Sequence, residues 1–170
     1  SMVKCPGIDI STGSLGQGLA CAVGMALAGK RDKKSFWTYC MIGDGEAQEG
    51  EIWEAANTAH KYQLDNLVVI LDVNKLQIDG STDDVMPNGD LAEKFKAFGF
   101  EIYHVDGHDM EAICRTMDSI HLSKNGLPKA IIAQTVKGKG VSFMENQAGW
   151  HGKAPNPEQY QQAMAELEEQ

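Results

Sequence analysis

The residues best suited to chemistry are an aspartate and an asparagine, each placed after a run of apolar residues. Asp44 lies in Gly43-Asp44-Gly45 after SFWTYCMI (35–42), and Asn74 follows LVVILDV (67–73), thirty residues beyond Asp44. A strand, a crossover and a second strand take about thirty residues, so both side chains can end adjacent strands of one parallel sheet. Hard oxygen donors on neighbouring strand ends suit a divalent cation that also holds a diphosphate, because Mg²⁺ prefers one or two protein oxygens plus phosphate oxygens to an all-protein cage. A lone Gly-Asp-Gly is a turn and a lone terminal Asn a cap. The second ligand at crossover distance gives the pair its weight.

Other groups compete with this pair. Ser11 to Gly18 (STGSLGQG) is a small-residue loop running straight into a helix pattern, whose first N–H groups favour an anion. His104, Asp106, His108 and Asp109 cluster near a strand end and invite a metal, yet Asp-Gly-His-Asp also makes a turn followed by a helix cap, and that structural reading is preferred. Lys137 and Lys139 are flanked by glycines and either steer a phosphorylated sugar or form a solvated loop. His60 and His121 fall on polar helix stretches and carry no assigned role, while Trp53 and Trp150 read as packing residues, Trp150 also shaping a pocket mouth beside His151.

Positioning these groups requires alternating strands and helices. Leu15, Leu19, Ala22, Val23, Ala26 and Leu27 form one helical face that ends near Gly29, followed by a solvated turn over Lys30 to Lys34. A buried strand is expected at 35–42, a helix at Glu49 to Gln63 with acidic first turns, and a strand at Leu67 to Val73 whose continuous apolar run fits burial on both faces. Loop-like sequence then leads to a helix at Leu91 to Phe98, a strand at Glu101 to Val105, a helix at Met110 to Ser123 and a strand at Lys129 to Thr135. A long glycine-containing loop precedes a last helix carrying Tyr160, Met164 and Leu167. This alternation predicts an α/β fold: a doubly wound, mostly parallel sheet with helices on both faces, one domain spanning 1–170, and the site at the strands' carboxyl ends.

Composition narrows the function classes. The 170 residues, 42% hydrophobic, suffice for one sizeable core. A formal charge of −9 argues against nucleic-acid or anionic-membrane binding, so any phosphate site must be local. Cys5, Cys21, Cys40 and Cys114 are widely spaced with no C-x-x-C pair, which reads as buried free thiols in a reducing cytosol and a cytoplasmic protein. No apolar run approaches the ~20 residues of a membrane span, no signal-peptide series is present, and Ser1-Met2 reads as a cloning remnant.

The ordered motifs carry a resemblance. STGSLGQG resembles the TGPLGQG loop of the transketolase family, GDGEAQEG its GDG-x-x-x-EG segment and DVNKLQIDG its D-x-N-K-x-x-IDG ending, with VDGHD and HGKAP as further matches. The sequence is most similar to the amino-terminal subunit of split bacterial transketolases. The resemblance implies a thiamine diphosphate cofactor held through Mg²⁺ (or Ca²⁺), with Asp44 and Asn74 as side-chain ligands and the Leu76 carbonyl as the third. It implies that Gly45 offers its N–H to a phosphate oxygen, that Gly13 and Leu15 lie beside the cofactor rings, and that His151 reaches the diphosphate and the reacting centre. Glu49 matches a glutamate at the family's subunit interface behind the cofactor, where a buried carboxylate would couple two sites; an ordinary first-turn glutamate is the competing account.

The implied activity is transfer of a two-carbon ketol unit between sugar phosphates, by a homo-oligomer or heterotetramer with a carboxy-terminal subunit carrying the pyrimidine-binding domain. Two departures stand out. Ser14 replaces a frequent proline, and the family's chain normally begins roughly 100 residues earlier, a domain-sized piece. The glutamate that protonates the aminopyrimidine ring belongs to the other domain, and none here is assigned that task. The alternatives are another thiamine diphosphate enzyme, chiefly deoxyxylulose-phosphate synthase, and an inactive cofactor-half or subunit-interaction module.

Overall fold

The computed structural model describes residues 3–168; Ser1 and Met2, with the reading given to them above, lie outside the described residues, as do Glu169 and Gln170. In chain order the elements are α1 (Gln17–Arg31), β1 (Thr38–Gly43), α2 (Gly50–Lys61), β2 (Leu67–Val73), β3 (Leu76–Gln77), β4 (Gly80–Ser81), α3 (Thr82–Val85) and α4 (Leu91–Ala97). They continue with β5 (Glu101–Asp106), α5 (Met110–Leu122), β6 (Lys129–Gln134) and α6 (Pro157–Glu168). Single 3₁₀ turns stand at Glu46–Gln48 and Ala148–Trp150.

Four strands form one parallel sheet in the order β1-β2-β6-β5, and β3 pairs antiparallel with β4 in a separate hairpin. The order explains where the helices lie. From β1 to β2 and from β2 to β5 the chain advances across the sheet, and from β5 to β6 it steps back. Right-handed crossovers put helices on opposite faces when the direction reverses. Accordingly α1, α2 and α4 share a core with Cys40, Ile42, Leu67, Val69, Leu71 and Ile132, while α5 covers Val68, Val105, Ile131 and Ala133 from the other side. Alternate residues of β2 thus feed two cores, which is why its sequence is apolar throughout.

Coverage of the second face is incomplete. On β1, Tyr39 is 44% and Met41 70% exposed, because α5 sits over β5 and β6 and only Trp37 and Ile70 extend its cluster toward β1. Elsewhere the first core is tight: Phe95 packs edge-on to Phe100 and against Trp53, whose indole N–H donates to the Ala47 carbonyl at 3.1 Å. Trp53 is the packing residue expected.

Three local expectations need correction. Leu15 does not join the buried face of α1, because Gly16 (φ +90°) turns the chain just before the helix and leaves Leu15 53% exposed. The supposed loop after Asn74 contains the β3–β4 hairpin and the short α3. Of the four free cysteines only Cys40 is buried; Cys5, Cys21 and Cys114 are exposed. Burial, with Glu46 and Cys21 nearby, pushes the Cys40 thiol up to about 11, so it stays protonated and unreactive at neutral pH. His121, given no role above, lies 2.7 Å from the Tyr39 hydroxyl and beside the Trp37 ring.

At the amino end of β6 the fully buried Lys129 ammonium donates to Asn125 Oδ1 at 2.8 Å and lies 3.3 Å from Glu101 Oε2. Burial opposes the Glu101 charge, but hydrogen bonds from Ser123, Asn125 and Lys129 outweigh it and hold the carboxyl below the usual glutamate range.

Candidate functional site

Strand register brings the two oxygen ligands together. Gly43 of β1 pairs with Asp72 of β2, the Asp44 N–H donates to the Asp72 carbonyl at 3.1 Å, and Asn74 follows the end of β2. Asp44 is 2% exposed. Its Oδ1 accepts the Gly45 N–H at 2.8 Å, its Oδ2 the Lys75 N–H at 2.5 Å, and its carbonyl the Asn88 side chain at 2.8 Å. Burial pushes the Asp44 carboxyl above the ordinary aspartate range; the hydrogen bonds pull it down, and the neighbouring Asp72 charge adds to the rise. Among the described residues no ion pair involves Asp44. Among the described residues, then, the buried Asp44 carboxyl and the neighbouring Asp72 are met by hydrogen-bond donors but Asp44 by no paired cation.

The turn after β2 is built to face that carboxylate. Lys75 holds a left-handed conformation (φ 61°), unusual for a side-chain-bearing residue and a form of strain that persists where the surroundings impose it. Asn74 Oδ1 accepts the Leu76 N–H at 3.0 Å and Asn74 Nδ2 approaches Asp72 Oδ1 at 3.4 Å, so both ends of the amide are oriented. Asp44, Gly45, Asn74 and Leu76 are therefore one neighbourhood. Beside Gly45, an added Cβ would stand 3.2 Å from Gln77 Cβ, so the backbone packs too closely there for a side chain without some yielding.

The donor types suit a hard divalent cation: a carboxylate, an amide oxygen and a backbone carbonyl. No group of three His, Cys, Asp or Glu residues poised to hold a metal occurs among the described residues. The Asp106 to Asp109 segment shows the turn and cap: Asp106 Oδ1 accepts the His108 N–H, and Asp109 Oδ1 the Ala112 N–H, each at 2.9 Å.

The remaining expected residues surround this neighbourhood less closely. Gly13 and Leu15 are exposed in the loop before α1, and Glu49 is exposed just ahead of α2, making no capping hydrogen bond and lying next to Gly16. In this single chain Glu49 is thus not a buried carboxylate. His151 is also exposed; its Nδ1 lies 3.5 Å from Lys137 Nζ, a side-chain contact with this lysine rather than with a member of the Asp44 group. Trp150 packs at a tilt against Phe143 and donates to the Phe143 carbonyl at 2.9 Å, tying down the loop ahead of His151.

Three organising residues escaped the sequence. Glu46 accepts the Gly16 N–H at 3.0 Å and the Gly43 N–H at 3.3 Å, joining the two glycine loops. Thr135, just beyond β6, donates its hydroxyl to Asp72 Oδ1, the atom that also faces Asn74. Asn88 reaches across from the loop before α4 to the Asp44 backbone. The polar type of each was visible; the contact that gives it meaning is long-range.

Residues 1–168 match the family model for the transketolase thiamine diphosphate-binding domain. An apulose-4-phosphate transketolase subunit from Phocaeicola vulgatus is 47% identical over 167 residues, which are 98% of this chain and 59% of that protein. The 6-deoxy-6-sulfo-D-fructose transketolase subunit SqwG of a Clostridium species is 43% identical over 99% of this chain and 61% of its own length. The crystal structure of Campylobacter jejuni transketolase superposes with a TM-score of 0.88 at 34% identity, covering 95% of this chain and 26% of that one. The chain spans about three-fifths of the split-enzyme relatives it matches. Family model, sequence relatives and fold agree: this chain belongs to the transketolase family, as its thiamine diphosphate-binding domain.

Proposed function

We propose that this chain supplies the cation and diphosphate half of the cofactor site in a transketolase that moves a two-carbon ketol unit between sugar phosphates. The observation that carries the reading is Asp44, a buried carboxylate with no paired cation among the described residues and set at a strand end beside Asn74. Asp44 and Asn74 would hold Mg²⁺, or Ca²⁺ in its place, through their side chains, and Leu76 through its carbonyl. The Gly45 N–H now rests on Asp44 Oδ1. A cation drawing on that carboxylate would leave this donor for a phosphate oxygen. Gly13 and Leu15 would line the ring end of the cofactor, and Glu49 would meet a second chain.

Bound thiamine diphosphate would supply the carbanion chemistry, the protein's part being binding, orientation and electrostatics. His151, with Lys137 at 3.5 Å, would be this chain's group to donate a hydrogen bond or move a proton near the diphosphate and substrate. Relatives named as one subunit of a transketolase support a complementary chain; that chain would carry the pyrimidine-binding domain, in a homo-oligomer or heterotetramer. A second reading, favoured by the exposure of Leu15, Tyr39 and Met41, is that the chain alone is a cofactor-half without turnover. The whole chain would then act as one cofactor-binding domain completed by its partner.

Calorimetric titration with thiamine diphosphate and Mg²⁺ tests the assignment, with saturable binding expected for the chain and its loss in Asp44→Ala. Equal heats from both proteins would remove the metal assignment. For the assembled two-subunit enzyme, xylulose 5-phosphate and ribose 5-phosphate should yield sedoheptulose 7-phosphate, and failure to do so would count against ketol transfer between these sugars.

A further inference from the structure

The His108 imidazole has no part in the site proposed above, yet its position is closely specified. Its own N–H rests on Asp106 Oδ1 at 2.9 Å, and Asp109 caps α5. The Gly107 N–H donates to the Gln134 carbonyl at 2.8 Å, and a Cβ on Gly107 would fall 2.4 Å from Thr135 Cγ2 and 3.0 Å from the Gln134 carbonyl oxygen. Only glycine lets the turn press this close against the end of β6. His108 is thereby carried to Val136, whose N–H it accepts on Nε2 at 2.8 Å.

Val136 lies two residues beyond β6, past the last ladder pair of Asp106 with Gln134. Its neighbours on both sides meet residues assigned to the proposed cofactor site: Thr135 donates to Asp72 beside Asn74, and Lys137 lies by His151. One imidazole therefore holds the junction from which both depart.

We propose that His108 is a positioning residue whose neutral imidazole latches Val136 and so fixes Thr135 against Asp72 and Lys137 against His151. The bond requires a lone pair on Nε2, which places the ring proton on Nδ1. Protonation removes that lone pair, so acid opens the latch. The titratable and charged groups near it are His104 and Asp106 from β5 and Lys139, which line one cavity with it, with Asp109 capping α5 next in sequence and Lys137 next to Val136. The consequence for cofactor binding rests on the function proposed above; the latch itself does not.

The test uses ¹⁵N-labelled full-length chain and compares wild type, His108→Gln, which keeps an acceptor at that reach, and His108→Ala. A scalar coupling between the Val136 amide nitrogen and His108 Nε2 is expected in the wild type. Amide-exchange protection at Val136 should fall at least tenfold in His108→Ala. In the wild type it should fall along the His108 titration seen in the same spectra, and in His108→Gln it should persist through that pH range. Unchanged Val136 protection in His108→Ala, or a wild-type protection factor indifferent to His108 titration, would overturn the latch. In the calorimeter, affinity for thiamine diphosphate with Mg²⁺ should drop about tenfold in His108→Ala, the scale of outer-shell partners, and recover in His108→Gln. Wild-type affinity in His108→Ala would overturn the positioning role. Absence of binding by the wild-type chain would instead strike the cofactor reading, with coupling and exchange still deciding the latch.

Discussion

Glu46 Oε1 accepts the Gly16 N–H at 3.0 Å, a single bond that joins the loop before α1 to the loop after β1. The other oxygen of the same carboxylate accepts the Gly43 N–H. Glu46→Ala frees two backbone donors at once and is expected to lower stability by about 1–2 kcal/mol, with Glu46→Gln recovering part because one acceptor remains. Urea unfolding of the three proteins measures this. A midpoint for Glu46→Ala equal to wild type would show that water replaces the carboxylate without loss.

Gly16 itself is constrained from two directions. Its φ of +90° disfavours any side chain, and an added Cβ would stand 3.2 Å from Glu51 Cβ and 3.3 Å from Glu49 Cβ. Gly16→Ala is expected to cost about 1–3 kcal/mol, whereas Gly13→Ala, with nothing within 4 Å of its Cβ, should be close to neutral in the same denaturation assay.

The raised Asp44 carboxyl fixes the sign of a pH effect. A carboxyl whose folded pKa lies above its unfolded value binds more protons in the native state, so stability falls as pH rises from about 4 through the Asp44 titration. Asp44→Asn should remove this component, visible as the difference between mutant and wild-type thermal melts across pH without added cation. With Mg²⁺ and thiamine diphosphate present the wild type should instead gain stability with pH, because the cation displaces the proton. Identical mutant and wild-type slopes would contradict the assignment.

At the opposite end of the sheet the charge is already compensated. Lys129→Ala leaves Glu101, Asn125 and the Leu127 carbonyl without their shared donor and is expected to cost about 3–5 kcal/mol. Glu101 contributes with the reverse pH sign to Asp44: its depressed carboxyl stabilises above the usual glutamate range and loses that contribution as pH falls through its folded value. Double-mutant cycles between Lys129 and Glu101 at neutral and acid pH would resolve the pair, and a coupling independent of pH would refute it.

The sheet was legible where burial alone sets an element. Leu67 to Val73 reads as an apolar run from both faces and is β2 to the residue. β1 begins later than the run Ser35 to Ile42 suggests, because Thr38 is level with Leu67 at the start of its partner and the Phe36 ring turns back onto Gly29. The β3–β4 hairpin has two residues per strand, too few for periodicity, and follows from the left-handed turn at Lys75 that no local pattern announces. Asp44 and Asn74 could be found because each follows a strand end. Glu46 and Thr135 could not, since each acts on a residue thirty or more positions away.

The pairings of Gly43 with Asp72, Val73 with Gln134 and Asp106 with Gln134 mean that the four strands end nearly flush. The loops after them accordingly start at one height, like fingers from a common knuckle line. One residue inserted into any strand would lift its loop by about 3.3 Å and turn alternate side chains over, spoiling Asp44, Asn74, Thr135 or His108 while sparing much of the apolar character. Turns at the other ends, such as Lys33–Lys34 or Lys124–Asn125, set no such height for the loops that carry the site. For this chain, strand length is a functional parameter, and the tolerance of its turns to added residues should differ by which end of the sheet they occupy.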